Sequence, residues 1–152
     1  MNRRDFLRDG SFAGLAAALA AAGWIPAARA DEWNRIAFEA KSVEDVLKAL
    51  GGGAASSAGS VVITAPELAE HGAVVPIAAV SRAPDTDALA ILVEKNPNTL
   101  AALFSFPPGT APEVSTRIKM AQTSNVYVVA RSGGRFVHAV KEVKITLGGC
   151  GG

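Results

Sequence analysis

NVYVVARSGGRFVHAVKEVKITL, residues 125–147, decides the fold. Two runs rich in β-branched and aromatic residues, Asn125 to Arg131 and Arg135 to Val140, flank Ser132-Gly133-Gly134. Strand formers on either side of a Gly-Gly pair predict a hairpin, because the tightest turns need positive φ and glycine adopts it without steric cost. Further on, Val143, Ile145 and Leu147 alternate with Glu142, Lys144 and Thr146. That period of two is a strand with one wet face.

Upstream, the same grammar repeats. Val114, Thr116, Ile118 and Met120 alternate with Ser115, Arg117 and Lys119, which predicts a strand over Glu113 to Met120. Leu100 to Phe106 is a strand between a Lys95-Asn96-Pro97-Asn98 turn and the stop at Pro107-Pro108-Gly109. Ala88 to Glu94 is apolar on both parities, so both of its faces should be covered. Val74 to Ser81 is a strand whose Pro76 suggests an edge or a bulge. Pro66 to Gly72 reads as a turn or a single helical turn, and Val61 to Thr64 as a short strand. Seven or so short strands, spaced by about 10 residues, predict an all-β, immunoglobulin-like antiparallel β-sandwich. The likeness is one of shape, since the Cys…Trp…Cys framework of antibody domains is absent. A small barrel satisfies the alternation equally well, because it too buries one face of each strand.

Residues 31–60 precede this domain. Asp31 to Leu50 reads as helical: Ser42 and Asp45 form a start signal, and Val43, Val46, Leu47 and Leu50 fall on one face. Trp33, Ile36 and Ala37 line a shorter upstream turn. Gly51-Gly52-Gly53 ends the helix, and Gly51 to Ser60 reads as a flexible linker. The run Leu89 to Val93 and the pair Phe104 and Phe106 are expected in the core, with a partner surface as the other reading.

The first thirty residues read as an address. Arg3 and Arg4, followed by Phe6, Leu7 and Arg8, resemble a twin-arginine (Tat) export signal. An Ala- and Gly-rich region leads to Ala28-Arg29-Ala30, so cleavage is expected after Ala30. Gly10 to Ala28 is nineteen uncharged residues, near the length of a spanning helix, but Ala and Gly give little transfer energy and Pro26 interrupts it. No stable membrane insertion is therefore expected. Of 15 basic and 14 acidic residues, this leader holds Arg3, Arg4, Arg8, Arg29, Asp5 and Asp9; the remaining 122 residues carry 11 and 12. Near-neutral charge gives no reason to expect a nucleic acid partner. His71 and His138 sit in no metal-ligand pattern, so no metal is expected.

The chain holds one cysteine, in Gly148-Gly149-Cys150-Gly151-Gly152. Free cysteine is usually buried among apolar side chains, yet this one has only glycines beside it. Residues 148–152 read as a mobile arm that projects the thiol about 10 Å beyond the last strand, at roughly 3.3–3.6 Å per residue. A lone cysteine in an exported protein signals a reactive thiol or an intermolecular disulfide.

Export signal, β-rich domain and Gly-Gly-Cys-Gly-Gly arm together resemble the SoxY family, the sulfur-carrier subunits of the periplasmic thiosulfate-oxidising (Sox) system. Ile63 to Ile77 is similar to that family's early sandwich region. The resemblance implies a carrier and not a catalyst, periplasmic after Tat export, with pathway intermediates bound covalently to Cys150 and no other cofactor. It implies a heterodimer with a SoxZ-like subunit. It further implies service by a SoxAX-like haem enzyme that joins thiosulfate to the thiol and a SoxB-like hydrolase that releases sulfate. In some organisms a SoxCD-like sulfane dehydrogenase follows. Gly148, Gly149, Gly151 and Gly152 would be the flexible arm.

The residues suit that task. Enzyme sites are enclosed, and an arm without Cβ atoms enters them most easily. No cation neighbours Cys150 within the tail, and the terminal carboxylate disfavours a thiolate. Each partner is therefore expected to supply the activation. Two other readings stand beside this one: an exported β-sandwich whose cysteine forms an intermolecular disulfide, and a binding module in which the arm is incidental. Prenylation fits poorly, since two residues follow Cys150 where that motif has three.

Overall fold

The computed structural model describes residues 35–147. The expected export signal with Arg3 and Arg4, its cleavage after Ala30, and the arm at 148–152 with Cys150 lie outside the described residues. In chain order the elements are α1 (Arg35–Glu39), α2 (Val43–Ala49), β1 (Ser56–Ser57), β2 (Val61–Thr64), β3 (Leu68–His71), β4 (Val75–Ser81), β5 (Thr86–Val93), β6 (Leu100–Ser105), β7 (Glu113–Ile118), β8 (Ser124–Ser132) and β9 (Arg135–Leu147).

The predicted hairpin is β8 and β9, in register from Ser124↔Val143 to Ser132↔Arg135. Gly133 and Gly134 both have positive φ, 54° and 77°, the requirement of the turn that matches strand twist. β8 then pairs with β5 and β5 with β6, all antiparallel. The second sheet has the order β2-β4-β7. Two separate sheets enclosing one core make a sandwich and not a barrel.

That core takes Leu89, Ile91 and Val93 from β5, and Val126, Val128 and Ala130 from β8. They meet Val61, Val75, Ile77, Ala79 and Ile118 of the smaller sheet. Each fully buried aliphatic side chain contributes about 1.5–3 kcal/mol of transfer free energy. The opposite parity of β5, Ala90 and Leu92, belongs to a second cluster with Ala37, Val46, Leu47, Leu100, Val129 and Phe136. The expectation that both faces of β5 are covered holds, and helices of the same chain cover the outer one. Leu89 to Val93 is thus core, and Phe104 and Phe106 pack against it.

α2 forms for the reasons its sequence announced. Ser42 Oγ accepts a hydrogen bond from the Asp45 backbone N–H at 3.1 Å and donates to the Asp45 carboxylate. Gly51 ends the helix at φ 87°. Residues 40–42 separate α2 from α1, which holds Ile36 and Ala37 of the shorter upstream turn expected there.

Three expectations change. Residues 51–60 are not a free linker: Ser56 and Ser57 pair in parallel with Val137 and His138 of β9. Pro66 to Gly72 is not merely a turn, since Leu68–His71 is a strand parallel to β9. The sandwich is accordingly not purely antiparallel. Pro76 lies in a stretch of β4 that only β7 pairs, because β2 covers Ala78 to Ser81 alone. Its missing N–H is tolerated there, as the edge reading required.

Candidate functional site

β9 points the chain toward Cys150, so its end is the site's foundation. It is 13 residues long. One edge pairs with β8 as far as Val143. Beyond that the strand gains β3 on its other edge, with Leu68↔Lys144, Ala69↔Ile145 and His71↔Leu147 in register. Successive N–H groups of a strand point to opposite edges, and both are satisfied here. Lys144 N–H donates to the Glu67 carbonyl at 2.9 Å. Ile145 N–H donates to Thr123 Oγ1, also at 2.9 Å. Lys141 Nζ reaches the Ala65 carbonyl at 2.6 Å. The last strand is therefore held on both edges as far as Ile145, and by β3 alone to Leu147.

Two further residues hold this clamp. Gly72 accepts a hydrogen bond from Met120 N–H at 2.7 Å, and a Cβ added there would lie 2.2 Å from the Met120 carbonyl oxygen and 3.4 Å from Ile145 Cγ2. Asn96 bridges the β5–β6 turn to the β7–β8 loop: its Nδ2 donates to the Lys119 carbonyl at 2.7 Å, and its Oδ1 accepts from Ala121 N–H at 2.9 Å. The loop so fixed presents Thr123. Asn96→Ala removes both bonds, and we expect it to cost about 1–2 kcal/mol. Amide exchange at Ala121 and Ile145 should accelerate; unchanged exchange there contradicts the coupling.

No signal short of the fold announced Asn96 and Thr123 as a support for the last strand. Gly72 was visible in sequence only as the end of a turn.

The histidines are apart. His71 lies at the exposed end of β3 beside Leu147. His138 lies mid-strand on the outer face, its ring centroid 5.9 Å from that of Tyr127. Burial, and after it the charge of Glu94, raise the Tyr127 hydroxyl above its ordinary pKa, so it stays neutral at physiological pH. Among the described residues no group of three or more His, Cys, Asp and Glu is placed to hold a metal ion. No helix among them is long and apolar enough to cross a membrane.

A cleft of about 420 Å³ opens at the other pole, lined by Asp85, Thr86, Asp87, Phe106, Pro107 and Pro112 among others. Asp85 accepts a hydrogen bond from Gly133 of the β8–β9 turn, which places the cleft a full β9 length, about 40 Å, from the strand's C-terminal end. An arm of three residues does not reach it.

The sequence model described as "Sulfur oxidation protein SoxY" matches residues 47–150, ending on the cysteine. The structure of the sulfur carrier protein SoxY from Chlorobium limicola f thiosulfatophilum is similar at 36% identity, with a TM-score of 0.59. That similarity covers 66% of this chain and 93% of the other. The superoxide reductase (neelaredoxin) of Ignicoccus hospitalis is similar at 18% identity and a TM-score of 0.51, over 57% of this chain and 79% of its own. At that identity the likeness is one of fold. No curated protein sequence matches.

Proposed function

The chain belongs to the SoxY family, and we propose that it carries the intermediates of thiosulfate oxidation covalently on Cys150. It is a sulfur carrier and not a catalyst, in keeping with the family and its solved member. The observation that carries the finer reading is the reach of the family match, which extends through the strand, the glycines and the cysteine to residue 150.

Structure and chemistry support this reading together. β9 is anchored to Leu147 by β3 and Thr123. From that root, three residues carry Cys150 up to about 10 Å outward. Gly148, Gly149, Gly151 and Gly152 add no Cβ to the width of the arm, which suits entry into enclosed sites. Covalent attachment keeps the sulfur at an effective concentration in the millimolar range near whichever enzyme has docked.

The steps are those of a SoxYZ cycle. A SoxAX-like haem enzyme removes two electrons and the thiol proton as the Cys150 sulfur bonds to the outer sulfur of thiosulfate. A SoxB-like hydrolase adds water and releases sulfate, leaving one extra sulfur on the thiol. A SoxCD-like dehydrogenase oxidises that sulfur where it is present. The carrier acts as a heterodimer with a SoxZ-like subunit in the periplasm, after export through the Tat route signalled by Arg3 and Arg4.

Intact-mass measurement of the carrier, incubated with thiosulfate and these enzymes, tests the reading. We expect adducts that localise to the peptide bearing Cys150 and vanish on reduction. Recovery of unmodified thiol and disulfide dimers alone overturns it. Gly149→Val and Gly151→Val should leave melting unchanged and slow loading by every partner about tenfold or more, since a β-branched side chain stiffens the backbone and widens the arm. Equal rates would remove the arm from the account.

A further inference from the structure

The arm is short, and that constrains what must touch the sandwich. Any pocket that encloses Cys150 has to bring its rim within about 10 Å of the end of β9, because only three residues separate Leu147 from the thiol. The surface at that pole is consequently compressed against each enzyme that acts on the cargo. We infer that Leu68 and Val74, flanking the root of the arm, form an apolar docking rim for the mouth of the enzyme that receives Cys150. This rests on the carrier reading above.

Two of the few exposed large apolar side chains among the described residues lie here. Leu68 is 56% exposed and Val74 is 55% exposed. Leu68 is in register with Lys144 and His71 with Leu147, so each apolar side chain stands within three residues of the position level with the arm's root. Neither is needed for the core: Ala69 and Val75, their neighbours on the opposite parity, are the ones that turn inward. Leucine and valine offer nothing to water, and two exposed large apolar side chains within one seven-residue stretch mark a contact surface. The rim is also rigid. Gly72, between the two, is pinned to Met120, and β3 is pinned to β9. A rigid apolar collar on the β3 side of the arm's root positions the arm at the pocket before the thiol enters, which raises productive encounters without altering the chemistry within.

The occupant is an enzyme mouth and not the permanent partner subunit. A subunit seated on this collar would cover the arm's exit and exclude every enzyme from it.

The test compares Leu68→Asp and Val74→Asp, singly, with Val140→Asp. Val140 is 50% exposed, but lies seven residues before Leu147, about 23 Å along the strand. The full carrier, with its partner subunit, is loaded by a purified enzyme that conjugates thiosulfate to the thiol. For the two rim variants we expect KM for the carrier to rise about tenfold with kcat within twofold, and for Val140→Asp no change. Alkylation of Cys150 by iodoacetamide should be equal in all, since a small reagent needs no docking. Equal KM in the rim variants, or an equal rise in Val140→Asp, overturns the inference. So does loss of the partner subunit from the rim variants, which would make the patch a subunit interface. A wild-type carrier that takes no sulfur fails at the earlier step and refutes the carrier reading itself.

Discussion

Carrier with Cys150→Ser should accept no sulfur from any enzyme of the pathway, an all-or-none loss, while its melting temperature and its binding to the proposed partner subunit stay those of the wild type. The argument is chemical on one side and structural on the other. The thiolate is the nucleophile in sulfur exchange, and a serine hydroxyl does not ionise at neutral pH or form a sulfur–sulfur bond. No second cysteine exists to substitute for it. Among the described residues, both hydrophobic clusters draw their members from residues 37–145, so the expected loss is one of chemistry and not of packing. Intact mass after incubation with thiosulfate and the loading enzyme reads the first half, and calorimetry the second. A sulfur adduct on the serine variant would place the attachment point elsewhere.

Gly72→Ala should be the most damaging single methyl in the domain. The position is not one of positive φ, so the obstacle is space and not backbone strain. The new carbon would stand 2.2 Å from the Met120 carbonyl oxygen, a backbone atom held by the Met120 N–H bond to Gly72 itself. Moving that strand end disturbs Met120, which is fully buried, and Ile145, which anchors to Thr123. Overpacking of this kind costs about 1–3 kcal/mol, and a domain of this size then loses roughly 10 °C in Tm. Gly59→Ala is the control, since nothing lies within 4 Å of its added carbon. A Tm for Gly72→Ala within a degree or two of the control's would show that the clamp yields freely. Reduced sulfur loading should accompany the loss of stability, because the same contacts hold the strand end from which the proposed arm leaves.

These expectations draw on different levels of the molecule. The β8–β9 hairpin was legible because its determinants are local: alternation specifies the strands and Gly133-Gly134 specifies the turn. β5 was legible as a strand with two covered faces, since Ala88 to Val93 leaves no polar side for water. What covers its outer face was not written in β5 at all. It required α1 and α2 to lie on the sheet through Ala37, Val46 and Leu47. The cap at Ser42, the apolar spacing of α2 and the short helical turn at Ile36 and Ala37 were readable in advance, but not the sheet face they cover.

β1 and β3 escaped the reading for a single reason. Ser56–Ser57 and Leu68–His71 are too short, and too poor in β-branched residues, to declare themselves. They become strands because β9 offers them a free edge some seventy to eighty positions away. Pairing across such a separation is a property of the assembled sheets and has no local signature.

The proposed attachment point was read in one dimension: a lone thiol among glycines, in Gly148-Gly149-Cys150-Gly151-Gly152, suggests carriage from residue type alone. Where that thiol is rooted was settled in three dimensions. Thr123, Asn96 and the stretch that holds Leu68, Gly72 and Val74 come from three separate parts of the chain, and only the closing of the two sheets around one core sets them together at the end of β9.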